Sequence, residues 1–226
     1  MINFEQYLAE RKGSSAGQQP KRKVNLDQLK EMIANKDSNI ADVDVSEITD
    51  MKELFQDSDF GGSWTADISG WDTSNVTNMY DMFGGCKGLK EVSLPHTEKV
   101  ESMENMFDCC TNLKEVALPH TENVTNMSNM FGGCTNLKEV SLPHTEKVES
   151  MENMFGYCTK LTKVELPHTE NVTNMSWMFY DCENIQQNFS SWDITNVNKK
   201  YDMFEGCTKM EDAKMNGNDL YPKGYK

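Results

Sequence analysis

Apolar residues along the chain fall into columns that recur at a fixed interval. Met-Phe stands at Met82-Phe83, Met106-Phe107, Met130-Phe131, Met154-Phe155 and Met178-Phe179, 24 residues apart, and once more at Met203-Phe204 after 25. Cysteine keeps the same phase at Cys86, Cys110, Cys134, Cys158, Cys182 and Cys207, and so do Leu94, Leu118, Leu142 and Leu166, each followed by Pro-His-Thr. A period of this length marks a stack of like units, none of which buries its apolar face alone. Within one unit, Leu89, Val92 and Leu94 form a short strand-like run that Pro95 ends by removing a backbone donor. Val100, Met103, Met106 and Phe107 follow at three- and four-residue spacing, which predicts a short helical or 3₁₀ turn with one buried side. The expected fold is an α/β repeat solenoid: a right-handed coil with one parallel β-sheet and coils roughly 4.8 Å apart.

The pattern also divides the chain. Residues 1–23 read as a peptide with a helical turn around Phe4, Tyr7 and Leu8, followed by a flexible basic linker through Lys21-Arg22-Lys23. Residues 24–47 read as an N-terminal cap, with one amphipathic helix from Asn25 to Lys36 and Asn25 as its N-cap. Residues 48–210 make about seven coils. At the ends of the array, Phe60, Trp64, Ile68 and Trp71, and then Ile185, Phe189 and Trp192, replace the Cys-Leu-Val-Leu half. Larger rings suit terminal coils, which must cover an exposed apolar face. Residues 211–226 read as a C-terminal tail.

The phrase C-x-x-L-x-x-V-x-L-P and the stretch from Asp67 to Met79, with its Asn75-Val76-Thr77-Asn78-Met79, resemble the BspA-like leucine-rich repeats. These include the mycoplasma surface-protein repeat and the Treponema-type leucine-rich repeat. The similarity covers roughly residues 40–210. It implies a bacterial solenoid without enzymatic activity, often attached to the cell surface and used for adhesion or host-protein binding.

Charge narrows the partners. The formal net charge is −14, so nucleic-acid phosphates and anionic membranes would repel the chain. No apolar run reaches the roughly 18–20 residues of a membrane span. The first residues lack the basic and apolar regions of a secretory signal, so a cytoplasmic location is expected, with surface display or secretion the alternative that the resemblance implies. The acids bunch toward one end: residues 38–86 hold ten of them against Lys52. An acidic inhibitor of a basic nucleic-acid-binding partner, acting as a DNA mimic, is therefore the second functional reading, and a surface adhesin the third.

Residues with chemical potential mostly belong to the repeat. The six in-phase cysteines read as stacked buried thiols, and Cys109, out of phase, as the exposed one. His96, His120, His144 and His168 predict a ladder along one edge. Its structural role is weighed against a metal site and against acid-triggered repulsion near pH 6. Asp57-Ser58-Asp59 begins like a calcium loop, but Ile68 stands where a bidentate Glu is needed, so it reads as a turn. The Asn-x-Ser/Thr sites at Asn75, Asn123, Asn126, Asn171, Asn174 and Asn188 read as hydrogen-bonding positions along the stack. No catalytic phrase is present, and neither catalytic residue, metal nor cofactor is expected.

The columns that vary point to a contact surface. Trp177 interrupts a column of Asp81, Asn105, Asn129 and Asn153, while Tyr157 and Tyr180 stand mostly where other coils have Gly. Rings the repeat does not require are typical interface anchors. Trp177, Tyr180, Tyr157, Tyr80 and Asp181 are the candidate partner-binding residues, weighed against a role in sealing the C-terminal end. The peptide around Phe4, Tyr7 and Leu8 is a candidate second contact. A protein partner and a monomeric state are expected.

Overall fold

The computed structural model of the protein describes residues 20–216 and 219–225; the candidate docking peptide at Phe4, Tyr7 and Leu8 lies outside them. The ordered elements are β1 (Arg22–Lys23), α1 (Leu26–Ala34), a 3₁₀ turn (Ser38–Asp42), β2 (Val43–Asp44), β3 (Glu91–Ser93), β4 (Glu115–Ala117), β5 (Glu139–Ser141), β6 (Lys163–Glu165) and α2 (Thr208–Met215).

The first helix forms where its sequence predicts it. The Asn25 side chain accepts from the Gln28 amide at 2.9 Å, and the Gln28 side chain accepts from the Asn25 amide at 3.0 Å, a reciprocal capping box. Leu29 and Met32 are buried in the apolar core. Arg22 and Lys23, assigned to the linker by sequence, instead pair in parallel with Val43 and Asp44, and Lys23 reaches Glu47 at 2.8 Å.

Successive repeats lie side by side, and their apolar letters make continuous columns. Phe55, Phe83, Phe107, Phe131, Phe155, Phe179 and Phe204 stack with neighbouring ring centres 5.2–5.6 Å apart and planes within 10°. Parallel bridges run from Asp50 through Asn78, Ser102, Asn126, Ser150 and Asn174 to Lys199. Two side-chain ladders accompany them. Each column cysteine donates its thiol to a Phe carbonyl one coil back, as Cys110 does to Phe83 at 3.0 Å and Cys207 to Phe179 at 3.1 Å. Buried Thr73, Thr97 and Thr121 donate to the carbonyls of His96, His120 and His144, and Thr145 to that of His168 at 2.6 Å.

Two expectations are corrected. The single parallel sheet is divided: β3 pairs with β4 and β5 with β6, in register, and these pairs are separate two-stranded sheets. Three-residue strands need not pair everywhere when the bridge, thiol and threonine ladders already tie each coil to the next. The segment read as a short helical or 3₁₀ turn contains no helix and is a run of turns closed by bonds of the 3₁₀ spacing. In one coil the amides of Met79, Asp81, Phe83 and Gly85 donate to the next coil, at Ser102, Glu104, Met106 and Asp108, over 2.8–3.1 Å. The intervening amides close four-residue turns, as Met82 does onto Met79 at 3.3 Å. A helix would spend all these donors internally and leave the coils joined by side chains alone.

This conformation needs a left-handed backbone twice per coil. The first position holds Glu53, Asp81, Asn105, Asn129, Asn153, Trp177 and Asp202, with φ between +50° and +58°. The second holds Asp57, Gly85, Cys109, Gly133, Tyr157, Asp181 and Gly206. Asn, Asp and Gly are the residues that tolerate it.

Both ends are sealed by rings. Phe60, Trp64 and Trp71 gather on Phe55, and the Trp71 indole donates to the Ile40 carbonyl at 2.9 Å. At the far end Phe189 and Trp192 pack on Phe179, while Tyr221 and Tyr225 stand edge-on to Phe204, both at 5.2 Å. The described residues of the expected tail, 211–216 and 219–225, pack onto this end: Ala213, Leu220 and Pro222 are buried, and the Phe189 amide donates to the Leu220 carbonyl at 2.7 Å.

Candidate functional site

The rings singled out by sequence divide into one cluster and one outlier. Tyr157 and Tyr180 meet ring to ring at 5.4 Å and 61°, because the Tyr157 amide donates to the Tyr180 carbonyl of the next coil at 2.7 Å. Trp177 opens the turn that Tyr180 closes, its carbonyl accepting from the Tyr180 amide at 3.0 Å, and Asp181 follows directly. Tyr80 stands four coils away, beneath the Lys52 ammonium at 5.1 Å, with its hydroxyl accepting from Asn105 at 3.2 Å.

The cluster rings stay open to solvent: Tyr157 is 51% and Trp177 39% exposed. Both occupy left-handed positions, with φ +62° and +57°, where a bulky residue costs about 1–3 kcal/mol. Both rings stay partly open, and the end seal needs neither of them: Phe189 packs on Phe179, and Tyr221 and Tyr225 on Phe204. Sequence reasoning missed the neighbouring Tyr201, 65% exposed, whose carbonyl receives the Trp177 amide at 2.8 Å, and the carboxylates of Asp202 and Glu205. The readable signal was their place in the same varying columns. The Tyr180 hydroxyl has its pKa raised, first by the Asp181 carboxylate, then by Tyr157 and by some burial, then by Glu205 and Asp202. Among the described residues no ion pair joins Asp181, Asp202 or Glu205.

The histidine column alternates with carboxylates. Glu98 Oε1 lies 3.7 Å from both His96 Nδ1 and His120 Nε2, and Glu146 Oε1 lies 3.4 Å from both His144 Nδ1 and His168 Nε2. This interleaving sets a carboxylate against any imidazolium charge, which opposes the acid-triggered repulsion weighed above. The Glu146 carboxyl is held below its usual pKa, first by a hydrogen bond from its own backbone amide and then by His144 and His168, with burial opposing. Among the described residues no three His, Cys, Asp or Glu side chains gather to hold a metal ion.

The remaining candidates are structural. Asn75, Asn123 and Asn171 donate to the carbonyls of Ser46, Glu98 and Glu146 one coil back, at 2.6–2.9 Å. Asn126, Asn174 and Asn188 accept from the amides two residues on, at 2.9–3.1 Å. Asp59 accepts from Lys36 at 3.2 Å and from Ser63, as a turn residue does. The six column thiols are buried and Cys109 is exposed. At the acidic end, burial and the charges of Asp108, Glu53 and Asp57 raise the Asp81 pKa to about 6. A half-open cleft of about 530 Å³ beside β1, lined by Lys23, Asn25, Gln28, Glu47 and Asp50, holds the Lys23–Glu47 pair. No helix among the described residues is long and apolar enough to cross a membrane.

Residues 24–142 and 125–218 match the model of the family described as Mycoplasma protein of unknown function, DUF285, and the chain belongs to that family. Among solved structures it is similar to a leucine-rich repeat protein from Eubacterium ventriosum, with 20% identity and a TM-score of 0.45 over 77% of this chain and 42% of that one. It is also similar to a leucine-rich repeat protein from Bacteroides ovatus, with 17% identity and a TM-score of 0.39 over 75% of this chain and 56% of that one. The chain thus spans about half the length of either. No curated protein matches it.

Proposed function

We propose that the protein is a non-enzymatic protein–protein recognition module of the BspA-like leucine-rich-repeat type. Its coil is a right-handed solenoid whose C-terminal end captures a partner through Trp177, Tyr157 and Tyr180, with Asp181 beside them. One observation carries the reading: large exposed rings occupy left-handed positions that most other coils give to Asn, Asp or Gly. Sparsely populated backbone conformations gather at functional sites, and here they carry rings that remain open to solvent. A stiff array of coils also lowers the ordering cost of binding.

The test is capture of a partner from native cell lysate by the whole chain and by the Trp177→Asn/Tyr157→Gly double variant. These substitutions restore residues that other coils use. Loss of the captured protein with no fall in Tm supports the reading. Undiminished capture removes these rings from the interface, and a matched fall in Tm assigns them to the end seal.

A further inference from the structure

The rings at the C-terminal end do not stand in neutral surroundings. Tyr157, Trp177 and Tyr201 are exposed and Tyr180 is half-buried; Asp202 and Glu205 are exposed and Asp181 half-buried. The backbone puts them on adjacent coils: the Tyr157, Trp177 and Asp181 amides donate to the carbonyls of Tyr180, Tyr201 and Glu205 at 2.7–2.8 Å. Asp202 follows Trp177 in the first left-handed column, and Asp181 follows Tyr157 in the second. Ring faces beside carboxylates without ion-pair partners among the described residues form a surface complementary to a cation on a flat apolar body. Arginine has that form, since its guanidinium stacks on rings and forks onto carboxylates, while lysine offers only a strongly hydrated point charge.

We infer that this end of the coil receives an arginine-bearing segment of a partner protein, with the guanidinium against the rings of Tyr157, Trp177 and Tyr180 and paired with Asp181, Asp202 and Glu205. The inference rests on the recognition role proposed above and names its partner chemistry. It also accounts for the company the rings keep, since a purely apolar anchor would gain nothing from three carboxylates around it and would be repelled by none. Exposed aromatic faces and exposed acids on one patch favour a cation with both apolar and charged character.

The experiment selects random peptides displayed on phage against the full chain, then measures each enriched peptide by calorimetry at 50 and 500 mM salt. Arginine enrichment, a loss of tenfold or more in affinity with Trp177→Asn or with Asp181→Gly, and severalfold weakening in high salt are expected. Replacing the arginine by lysine in the best peptide should also weaken it severalfold. Peptides that need Trp177 but carry no arginine and ignore salt would overturn the partner chemistry and leave the recognition site standing. Enriched peptides indifferent to Trp177 and Tyr157, or no enrichment at all, would overturn both. Concentration-dependent dimerisation abolished by Trp177→Asn would instead assign the patch to a second copy of this chain.

Discussion

The carboxamide of Gln187 binds the backbone of Val164 on both sides: the Val164 amide donates to Gln187 Oε1 at 2.8 Å, and Gln187 Nε2 donates to the Val164 carbonyl at 2.8 Å. A side chain here takes the part of the next strand, closing the outer edge of β6 where the short strands give out.

Gln187→Ala therefore leaves two backbone groups of a buried residue to find other partners. We expect a loss of about 1–2 kcal/mol, read as a fall of several degrees in Tm. Exchange of the Val164 amide should accelerate in the same variant. An unchanged Val164 amide would show that the edge is closed by something else. The uncovered edge should also raise self-association, as unpaired strand edges do.

Trp177→Asn and Tyr157→Gly should each stabilise the fold or leave it unchanged, by up to about 1 kcal/mol. Each replaces a strained bulky residue with one suited to a positive φ. Calorimetric melting checks this, and a drop of several degrees would mean that the rings hold the end of the stack after all.

Asp81 gives a pH signature. Its folded pKa, about 6, lies above the ordinary carboxylate value, so the folded state binds its proton more tightly than the unfolded chain does. That group favours folding at low pH, and the contribution is lost as pH rises through about 6. Asp81→Asn, the residue of the next three coils, should flatten the stability profile between about pH 4 and 6 and raise Tm at pH 7. Melting curves across that range decide it.

Thiol chemistry should report a single slow site. Cys109 is exposed, yet partial burial and then Asp108 lift its pKa to about 11. Little of it is thiolate at pH 7, and the thiolate is the nucleophile. Iodoacetamide at neutral pH should modify one cysteine slowly, with the six column thiols reacting only on unfolding. Mass spectrometry distinguishes this from rapid or multiple labelling.

The apolar columns, both aromatic ends and the Asn25 cap were legible because copying repeats every buried letter in phase. The turn run was not. The spacing of Val100, Met103, Met106 and Phe107 buries one side of a helix and of this turn run alike. What separates them is the pair of left-handed positions, written as Asn105, Asn129 and Asn153, then as Gly85, Gly133 and Gly206. The same columns mark Trp177 and Tyr157 as anomalies of backbone as well as of chemistry. Leu220, Tyr221 and Tyr225 lie beyond the repeat, where no period remains to announce that they cover Phe204 and Phe189.

In the turn runs, the inter-coil amides all donate toward the C-terminal end: Met79 to Ser102, Met103 to Asn126, Met127 to Ser150, Met151 to Asn174 and Met175 to Lys199. Their peptide dipoles add along that ladder, so its two ends are chemically unlike, with acceptors facing out at the first coil and donors at the last, although the flanking amides, as Thr77 to Thr49 and Glu101 to Thr77, run the other way. A cap evolved for one end cannot serve the other. A longer array can be made only head to tail, in whole coils, with the polarity of the ladder carried through.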